Sequence, residues 1–247
     1  MNKLTSFLID EQQTHRMGGL YHKTQVQLAY NSNRIEGNKL TEEQTRYIFE
    51  TRTIGFKDQE AVLVDDIIET NNHFVAFNYL LSTINQPLSE TIIKEFHRIL
   101  KTGTADAQKP YFNVGDYKQL ANEVGGHETC KPAEVVREMQ SLHDWYNSQR
   151  EVSIHTLAEY HWRFENIHPF QDGNGRVGRL ILFRECLRNS IMPFFIDNNH
   201  KMFYYRGLSE FKHTPEYLIG TMQSSQDTYQ AWIKYFNEEL LEGLKID

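Results

Sequence analysis

Apolar residues recur at helical spacing through most of the chain, and few segments alternate as strands do. In residues 88–100, Ser89 precedes isoleucine, phenylalanine and leucine residues that are spaced as one helix face. Residues 132–146, 153–167 and 176–189 carry the same period. We therefore predict an all-α fold, with these segments as helices of one bundle.

One stretch, residues 115–132, breaks the helical period and contains two adjacent glycines. A glycine pair between short polar and apolar segments is typical of a tight turn, so we predict a small β-hairpin or an ordered loop here. We predict that the chain divides into three parts, with the first boundary near residues 53–60. These parts are an N-terminal helical extension at 1–60, a core at 61–212 and C-terminal helices packed on that core at 213–247.

Composition limits the classes of partner. Hydrophobic residues make up 39% of the 247 residues and aromatic residues 13%, which is typical of a globular chain with a substantial core. The formal net charge of −7 argues against nucleic acid or an anionic membrane as the main partner.

No segment resembles a signal peptide or a transmembrane helix, so we expect a cytoplasmic protein. We interpret Cys130 and Cys186 as structural thiols.

Polar and flexible residues are concentrated in residues 167–183, IHPFQDGNGRVGRLILF, between two apolar helical segments. Gly173, Gly175 and Gly178 satisfy the dinucleotide pattern GxGxxG. That pattern requires a preceding buried strand, whereas the segment before Gly173 has helical period. The patterns of P-loop proteins, protein kinases and zinc proteases are absent from the sequence. The common nucleotide-binding and metalloprotease classes are therefore not indicated.

The chemistry of this turn favours a phosphate group. Gly173, Asn174 and Gly175 allow a tight turn whose N–H groups point into one concavity. We predict that the next helix begins at about Arg176 and directs its positive dipole end to the same place. Arg176 and Arg179 are three residues apart and should lie near each other on its first turn. Guanidinium groups at a helix N-terminus are typical of a phosphate site.

Two further side chains extend this prediction from binding to catalysis. Asp172 would repel a neighbouring phosphate unless a cation such as Mg²⁺ bridged the two. His168 is the nearby group that can accept a proton at neutral pH. A polar turn with an Asp172–Arg176 ion pair would explain any one of these residues alone. Their combination within twelve residues favours a catalytic phosphate site.

The run HPFQDGNGRVGR resembles the signature HPFx[DE]GNGRxxR of Fic domains at every position. This resemblance implies an all-α domain with a small β-hairpin flap, which binds ATP with Mg²⁺. It also implies transfer of AMP to a serine, threonine or tyrosine hydroxyl of a protein, the reaction of most members. By position, the implied roles are a general base at His168, a Mg²⁺ ligand at Asp172, a phosphate nest at Gly173, Asn174 and Gly175, a catalytic phosphate clamp at Arg176, a γ-phosphate partner at Arg179 and a buried anchor at Phe170.

The resemblance extends to two neighbouring segments. The hairpin around residues 120–127 resembles the family's flap, which pairs with target main chain by strand addition. The segment HKMFYYRGLSEF resembles the helix beside the adenine pocket, although ordinary core aromatics explain it equally well. The candidate flap residues are Leu120, Val124 and Gly125, and the candidate adenine-pocket residues are Tyr204, Tyr205 and Leu208.

A second motif lies near the N-terminus, in residues 30–41, YNSNRIEGNKLT. Ser32 and Glu36 share a helix face, and Gly37 is placed to end that helix. A carboxylate at a helix C-terminus is unfavourable by dipole and would prefer an arginine partner. The segment resembles the inhibitory helix [ST]xxxE[GN] of Fic proteins. This implies that Glu36 pairs with Arg179 and blocks the γ-phosphate position, the alternative being a solvated glutamate at a helix end.

The sequence thus predicts an autoinhibited protein adenylyltransferase that uses ATP and Mg²⁺ and modifies a hydroxyl of a target protein, with self-modification and homo-oligomerisation left open. Removal of AMP, or transfer of another phosphate-containing group, is the alternative for the same site. Gly175 bears on this choice, because relatives that transfer phosphate carry lysine there. A non-catalytic helical module is disfavoured, since the whole catalytic set is present. His155, Glu159, His161 and Glu165 have spacings that could hold a metal, but ordinary helix-face pairing is favoured.

Overall fold

The computed structural model describes residues 2–55 and 61–245. This part of the chain forms ten α-helices and one two-stranded antiparallel hairpin, which confirms the predicted all-α fold with a small β-hairpin. None of the described helices is both long and apolar enough to cross a membrane. The helices are α1 (Lys3–Gln13), α2 (Leu20–Ile35), α3 (Glu42–Thr51), α4 (Val64–Ser82), α5 (Glu90–Lys101), α6 (Pro132–Asn147), α7 (Ile154–Ile167), α8 (Asn174–Arg188), α9 (Lys201–Glu210) and α10 (Glu216–Asn237), and the strands are β1 (Glu123–Val124) and β2 (His127–Glu128).

The predicted capping residue begins its helix, because the Ser89 side chain accepts the amide of Ile92 at the start of α5. Helix α6 begins at Pro132. Helix α8 begins at Asn174, two residues before the predicted start. Gly173 adopts φ +82° as its N-cap, so the chain turns directly into the helix. As a result, Arg179 lies on the second turn of α8. The prediction had placed it on the first turn.

Helix α8 is the centre of the bundle. Thirteen of its fifteen residues are buried, and α1, α2, α4, α5 and α7 all pack against it. One hydrophobic core runs from Leu4 in α1 through α8 to Ile233 in α10. The predicted boundary at 53–60 lies largely outside the described residues, because 56–60 are not among them. The division into three parts stays a prediction.

Helix α5 supports the glycine-containing turn before α8 from beneath. His97 stacks on Phe170 with a ring-centroid distance of 4.1 Å and an interplanar angle of 6°. Phe170 is fully buried, as expected of an anchor. Lys101, one helical turn after His97, places its Nζ atom 2.7 Å from Oδ2 of Asp172. One face of α5 therefore holds both the apolar and the acidic residue of the turn.

Lys101 is the centre of a buried ion cluster. Its side chain is 1% exposed, and its Nζ atom donates to carboxylates of Glu69, Asp106 and Asp172 at 2.8, 3.0 and 2.7 Å. All three ammonium N–H groups are thus used. Burial alone would lower the pKa of Lys101, but the carboxylates of Asp172 and Glu69 raise it above the usual value. The cluster joins α4, the segment after α5 and the turn before α8.

We expect Lys101→Met to lower the free energy of unfolding by about 3 kcal/mol, because three carboxylates would lose their shared cation. Urea denaturation followed by circular dichroism at pH 7 measures this loss. The matched control is Lys109→Met, since the exposed Lys109 also pairs with Asp106 but has water as an alternative partner. Its expected loss is below about 1 kcal/mol. Equal losses in the two variants would contradict a special role for the buried cluster.

Candidate active site

The candidate site is the corner between α7 and α8. His168 ends α7 in the left-handed region, with φ +50°, and donates its amide to the carbonyl of Phe164. Asn174 closes the corner, because its side chain accepts from the amide of Phe170 and donates to the Phe170 carbonyl, both at 2.8 Å. The Asn174 side chain thus braces the loop from inside and faces away from solvent, being 1% exposed.

His168 has the environment of a neutral imidazole. Its Nδ1 atom lies 3.3 Å from the carbonyl oxygen of Glu165, which can only accept, so Nδ1 carries the proton and Nε2 is free to accept one. Burial, helped by the neighbouring Lys118 cation, lowers the pKa of His168 to about 4. The imidazole is therefore unprotonated at neutral pH and can act as a general base.

Asp172 combines a fixed position with an accessible surface. Its Oδ2 atom accepts from Lys101 and, at 3.1 Å, from Nη2 of Arg176, while 48% of the side chain remains exposed. Partial burial alone would raise its pKa, but Arg176 and Lys101 hold the pKa of this carboxyl well below its usual range. An ionised, half-exposed carboxylate beside the glycine turn fits Mg²⁺, which is commonly held by one carboxylate with phosphate oxygens and waters. Within the described residues, no group of three or more His, Cys, Asp or Glu side chains forms a metal site.

Arg176 is buried beneath the turn and is already paired. It is 3% exposed, with Glu69 2.5 Å from Nη1 and Asp172 3.1 Å from Nη2. Its Nε–H group has no hydrogen-bond acceptor in the part of the chain that is described. The guanidinium therefore keeps at least one unused donor, while two carboxylates fix its plane.

Arg179 contacts both residues of the N-terminal motif. Its Nε atom donates to Oγ of Ser32 at 3.0 Å, and its Nη2 atom donates to the Ser32 carbonyl at 2.9 Å and to Oε1 of Glu36 at 2.6 Å. Burial alone would lower the pKa of Arg179, but the Glu36 carboxylate raises it above the usual value. A Cβ atom on Gly175 would lie 2.3 Å from Oε1 of Glu36. The absence of a side chain at Gly175 thus leaves room for this carboxylate over the start of α8.

The candidate adenine-pocket residues occupy different environments. Tyr204 is 1% exposed, and its hydroxyl lies 2.7 Å from Nε2 of His161, so it is a core side chain. Tyr205 is 41% exposed and donates its hydroxyl to the carbonyl of Ile35 at the end of α2. Leu208 is half-buried against the core. Of the three, Tyr205 is the most exposed and lies next to the segment of residues 30–41.

The predicted hairpin lies beside the corner and is bonded to it. Gly125 and Gly126 make its turn with positive φ, and Leu120 and Val124 are both 47% exposed. The amide of Leu120 donates to the side chain of Gln171 at 3.2 Å. The hairpin and the segment before it thus expose apolar side chains close to the loop that carries Gln171.

Three residues at the site lie outside the two sequence motifs and were not predicted: Glu69, Lys101 and Lys118. Lys101 had a detectable signal, because it follows His97 by four residues on the buried face of an amphipathic helix, where a lysine needs a partner. Glu69 and Lys118 reach the site only through the packing of α4 and through an irregular segment. Of the residues considered as metal ligands, Glu159 instead pairs with Arg163, and Glu165 lies 3.9 Å from His161.

Comparison with known proteins agrees with this geometry. Residues 87–185 match the Fic/DOC family. The chain is 33% identical over 184 residues to the protein named "Protein adenylyltransferase Fic" from Drosophila willistoni, covering 72% of this chain and 35% of that protein. The Drosophila melanogaster protein of the same name is 32% identical, with 72% and 36% covered. The chain thus spans about a third of the length of these curated relatives.

Solved structures share the fold. A Fic domain containing signaling protein from Bacteroides thetaiotaomicron superposes with a TM-score of 0.74 at 22% identity, over 99% of both chains. Fic-1 from C. elegans superposes with a TM-score of 0.71 at 22% identity, over 94% of this chain and 71% of that one. With the sequence match across α5 to α8 and the helical architecture around it, these findings place the chain in the Fic/DOC family.

Proposed function

We propose that this chain is a protein adenylyltransferase that transfers AMP from ATP to a serine, threonine or tyrosine hydroxyl of a protein. The observation that carries the proposal is the corner itself, where a neutral imidazole, an ionised carboxylate and the N-terminus of α8 converge. Fic relatives named as protein adenylyltransferases support the same reaction. The free thiols of Cys130 and Cys186, which suit a reducing compartment, support a cytoplasmic location.

His168 would act as the general base. Its Nε2 atom takes the proton of the target hydroxyl as that oxygen attacks the α-phosphorus. A bond forms between the hydroxyl oxygen and phosphorus, and the bond to the pyrophosphate oxygen breaks. The N–H groups at the start of α8 and the guanidinium of Arg176 stabilise the charge on the leaving pyrophosphate. When bound, Mg²⁺ would be held by Asp172 and would neutralise phosphate charge.

Glu36 would hold this activity low. A γ-phosphate at the start of α8 would need Arg179 as its partner, and Glu36 and Ser32 already occupy three donor positions of that guanidinium. Displacement of Glu36 would therefore free a buried cation for the nucleotide. Because Glu36 is one-third exposed, it can leave without unfolding the core.

The hairpin would hold the target through main-chain pairing, with Leu120, Val124 and Gly125 along its edge. Such pairing sets the register of the target hydroxyl opposite the α-phosphorus. Self-modification and homo-oligomerisation belong to the same proposal, since a second copy can present a hydroxyl to this edge.

The alternative reactions use the same residues differently. Glu36 could orient a water molecule that removes AMP from a modified protein, and phosphate transfer would require the nucleotide to bind in reverse. Gly175 favours adenylyl transfer over phosphate transfer, because relatives of the second kind carry lysine at this place. Label from the α-phosphate or the γ-phosphate of ATP distinguishes the two transfers.

We expect Glu36→Gly to increase protein labelling from α-³²P-ATP and Mg²⁺ by at least about tenfold, because the γ-phosphate would no longer compete with Glu36 for Arg179. A tenfold change corresponds to a free-energy difference of about 1.4 kcal/mol. Autoradiography of the purified protein mixed with a cell lysate, followed by mass spectrometry of labelled bands, measures it. The matched control is the double variant Glu36→Gly with His168→Ala, which should bind ATP but transfer no label. Adenylyl transfer is excluded if α-phosphate label never enters protein, and phosphate transfer is indicated if only γ-phosphate label does.

A graded effect is expected for Ser32→Ala. This variant loses the Oγ acceptor of Arg179 but keeps the carbonyl contact and Glu36, so inhibition should weaken by about 1 kcal/mol, or roughly fivefold in labelling rate. Initial rates measured beside Glu36→Gly test this order. A Ser32→Ala rate equal to that of the unmodified protein would show that the hydroxyl contributes nothing to inhibition.

The pH profile should reflect a neutral His168. Because its pKa is lowered to about 4, the base stays unprotonated as pH falls from 7.5 to 5. In the Glu36→Gly form with excess Mg²⁺, kcat/KM should therefore fall by less than about twofold over this range. A histidine with the ordinary pKa near 6.5 would lose about 30-fold by pH 5. Circular dichroism at each pH checks that the protein remains folded.

A further inference from the structure

Lys118 is a buried cation between the hairpin and the catalytic corner. It is 4% exposed, and none of the ion pairs within residues 2–55 and 61–245 includes it. Burial lowers the pKa of Lys118 to about 8. An apolar side chain would fill this space without the cost of burying a charge. The ammonium group of Lys118 instead has three neutral hydrogen-bond acceptors.

The ammonium group of Lys118 joins both ends of the hairpin to the end of α7. Its Nζ atom donates to Oδ1 of Asn122 and to Oγ1 of Thr129, both at 2.7 Å. These residues come directly before β1 and directly after β2. The third N–H group points to the carbonyl of Ile167, 3.3 Å away, in the residue before His168. One side chain thus contacts the two hairpin ends and the backbone that carries the base.

The backbone of Lys118 adds a second connection on the other side of His168. Its amide donates to the carbonyl of Pro169 at 2.9 Å. Asn122 reinforces the connection, because its Nδ2 atom donates to the carbonyl of Phe170 at 3.0 Å. The base is therefore flanked by two carbonyls, at 167 and 169, that both bond to Lys118. Movement of the hairpin relative to His168 would break these bonds together.

We propose that Lys118 is a positioning residue that fixes the distance between the hairpin of residues 123–128 and His168. This inference rests on the proposed function, in which a target paired with the hairpin presents its hydroxyl to Nε2 of His168. The hydroxyl must lie within hydrogen-bond reach of the base, and a misplacement of about 1 Å costs on the order of 100-fold in rate. Loss of the connection should impair transfer to protein while leaving nucleotide binding intact, because Arg176 and Arg179 are held by contacts other than Lys118.

The test compares Lys118→Met with Lys118→Arg in the Glu36→Gly form. The rate of α-phosphate label transfer to the protein that Glu36→Gly labels most strongly, its own chain included, should fall at least about tenfold in Lys118→Met. Lys118→Arg, which keeps donors and charge, should recover part of this rate. The Kd for Mg-ATP, measured by calorimetry, should stay within about twofold. Lys131→Met, at an exposed lysine just before α6, is the matched control and should change neither quantity.

Hydrogen exchange gives a readout that does not depend on activity. The amide of Thr129, which donates to the carbonyl of Asn122, should exchange about tenfold faster in Lys118→Met, and amides of α8 should not change. Asn122→Ala should shift exchange in the same direction if Lys118→Met is poorly folded. Unchanged transfer and unchanged exchange would overturn the inference while the proposed function stands. If the Glu36→Gly form itself transfers no label, the proposed function and this inference fall together.

Discussion

Arg179 is a permanent charge inside the protein, and such a charge requires an anion. Its guanidinium is 5% exposed and cannot be neutralised by losing a proton, so some acceptor must always face it. In the structure that acceptor is Glu36, reached across more than a hundred residues of sequence. The same constraint explains why the C-terminal end of α2, which carries Glu36, lies against α8. Under the proposed function, a nucleotide phosphate would compete with Glu36 for this cation.

The corner between α7 and α8 depends on contacts from α5 as much as on its own residues. Left-handed backbone at His168 and Gly173 makes the turn tight, and such a turn persists only if its surroundings hold it. Helix α5 provides the support through His97 on Phe170 and through Lys101 on Asp172. The His97–Phe170 stacking holds the loop against α5, and the ion cluster holds the Asp172 carboxylate in one orientation.

Charge inside this region is balanced by neighbours from separate helices. Glu69 in α4 pairs with both Lys101 and Arg176, and Asp172 pairs with the same two cations. Lys101 and Arg176 each pair with more than one carboxylate. The loss of one charged group therefore leaves several others without full compensation. Lys118 differs, because its partners are neutral acceptors at the hairpin and at the end of α7.

Much of the fold and the catalytic motif followed from local pattern. Helical period predicts α5 to α7 without tertiary information, and Ser89 marks the start of α5, since these signals act within a few residues. The glycine turn and the residues of its motif are contiguous, so their chemistry is visible in the sequence. The start of α8 was misplaced by two residues because the left-handed geometry of Gly173 carries no separate sequence signal.

The sequence pattern could not predict which distant segments contact each other. Tyr204 and Tyr205 are adjacent in sequence, yet packing of α9 buries the first and exposes the second. Glu69 and Lys118 reach the site because α4 and the segment before the hairpin pack beside it. The sequence by itself determined the helices, the turn and the residues able to bind phosphate, because short-range backbone preferences and side-chain chemistry specify them. Tertiary structure alone decided which buried charges meet, because burial and partner distance depend on how separate helices pack.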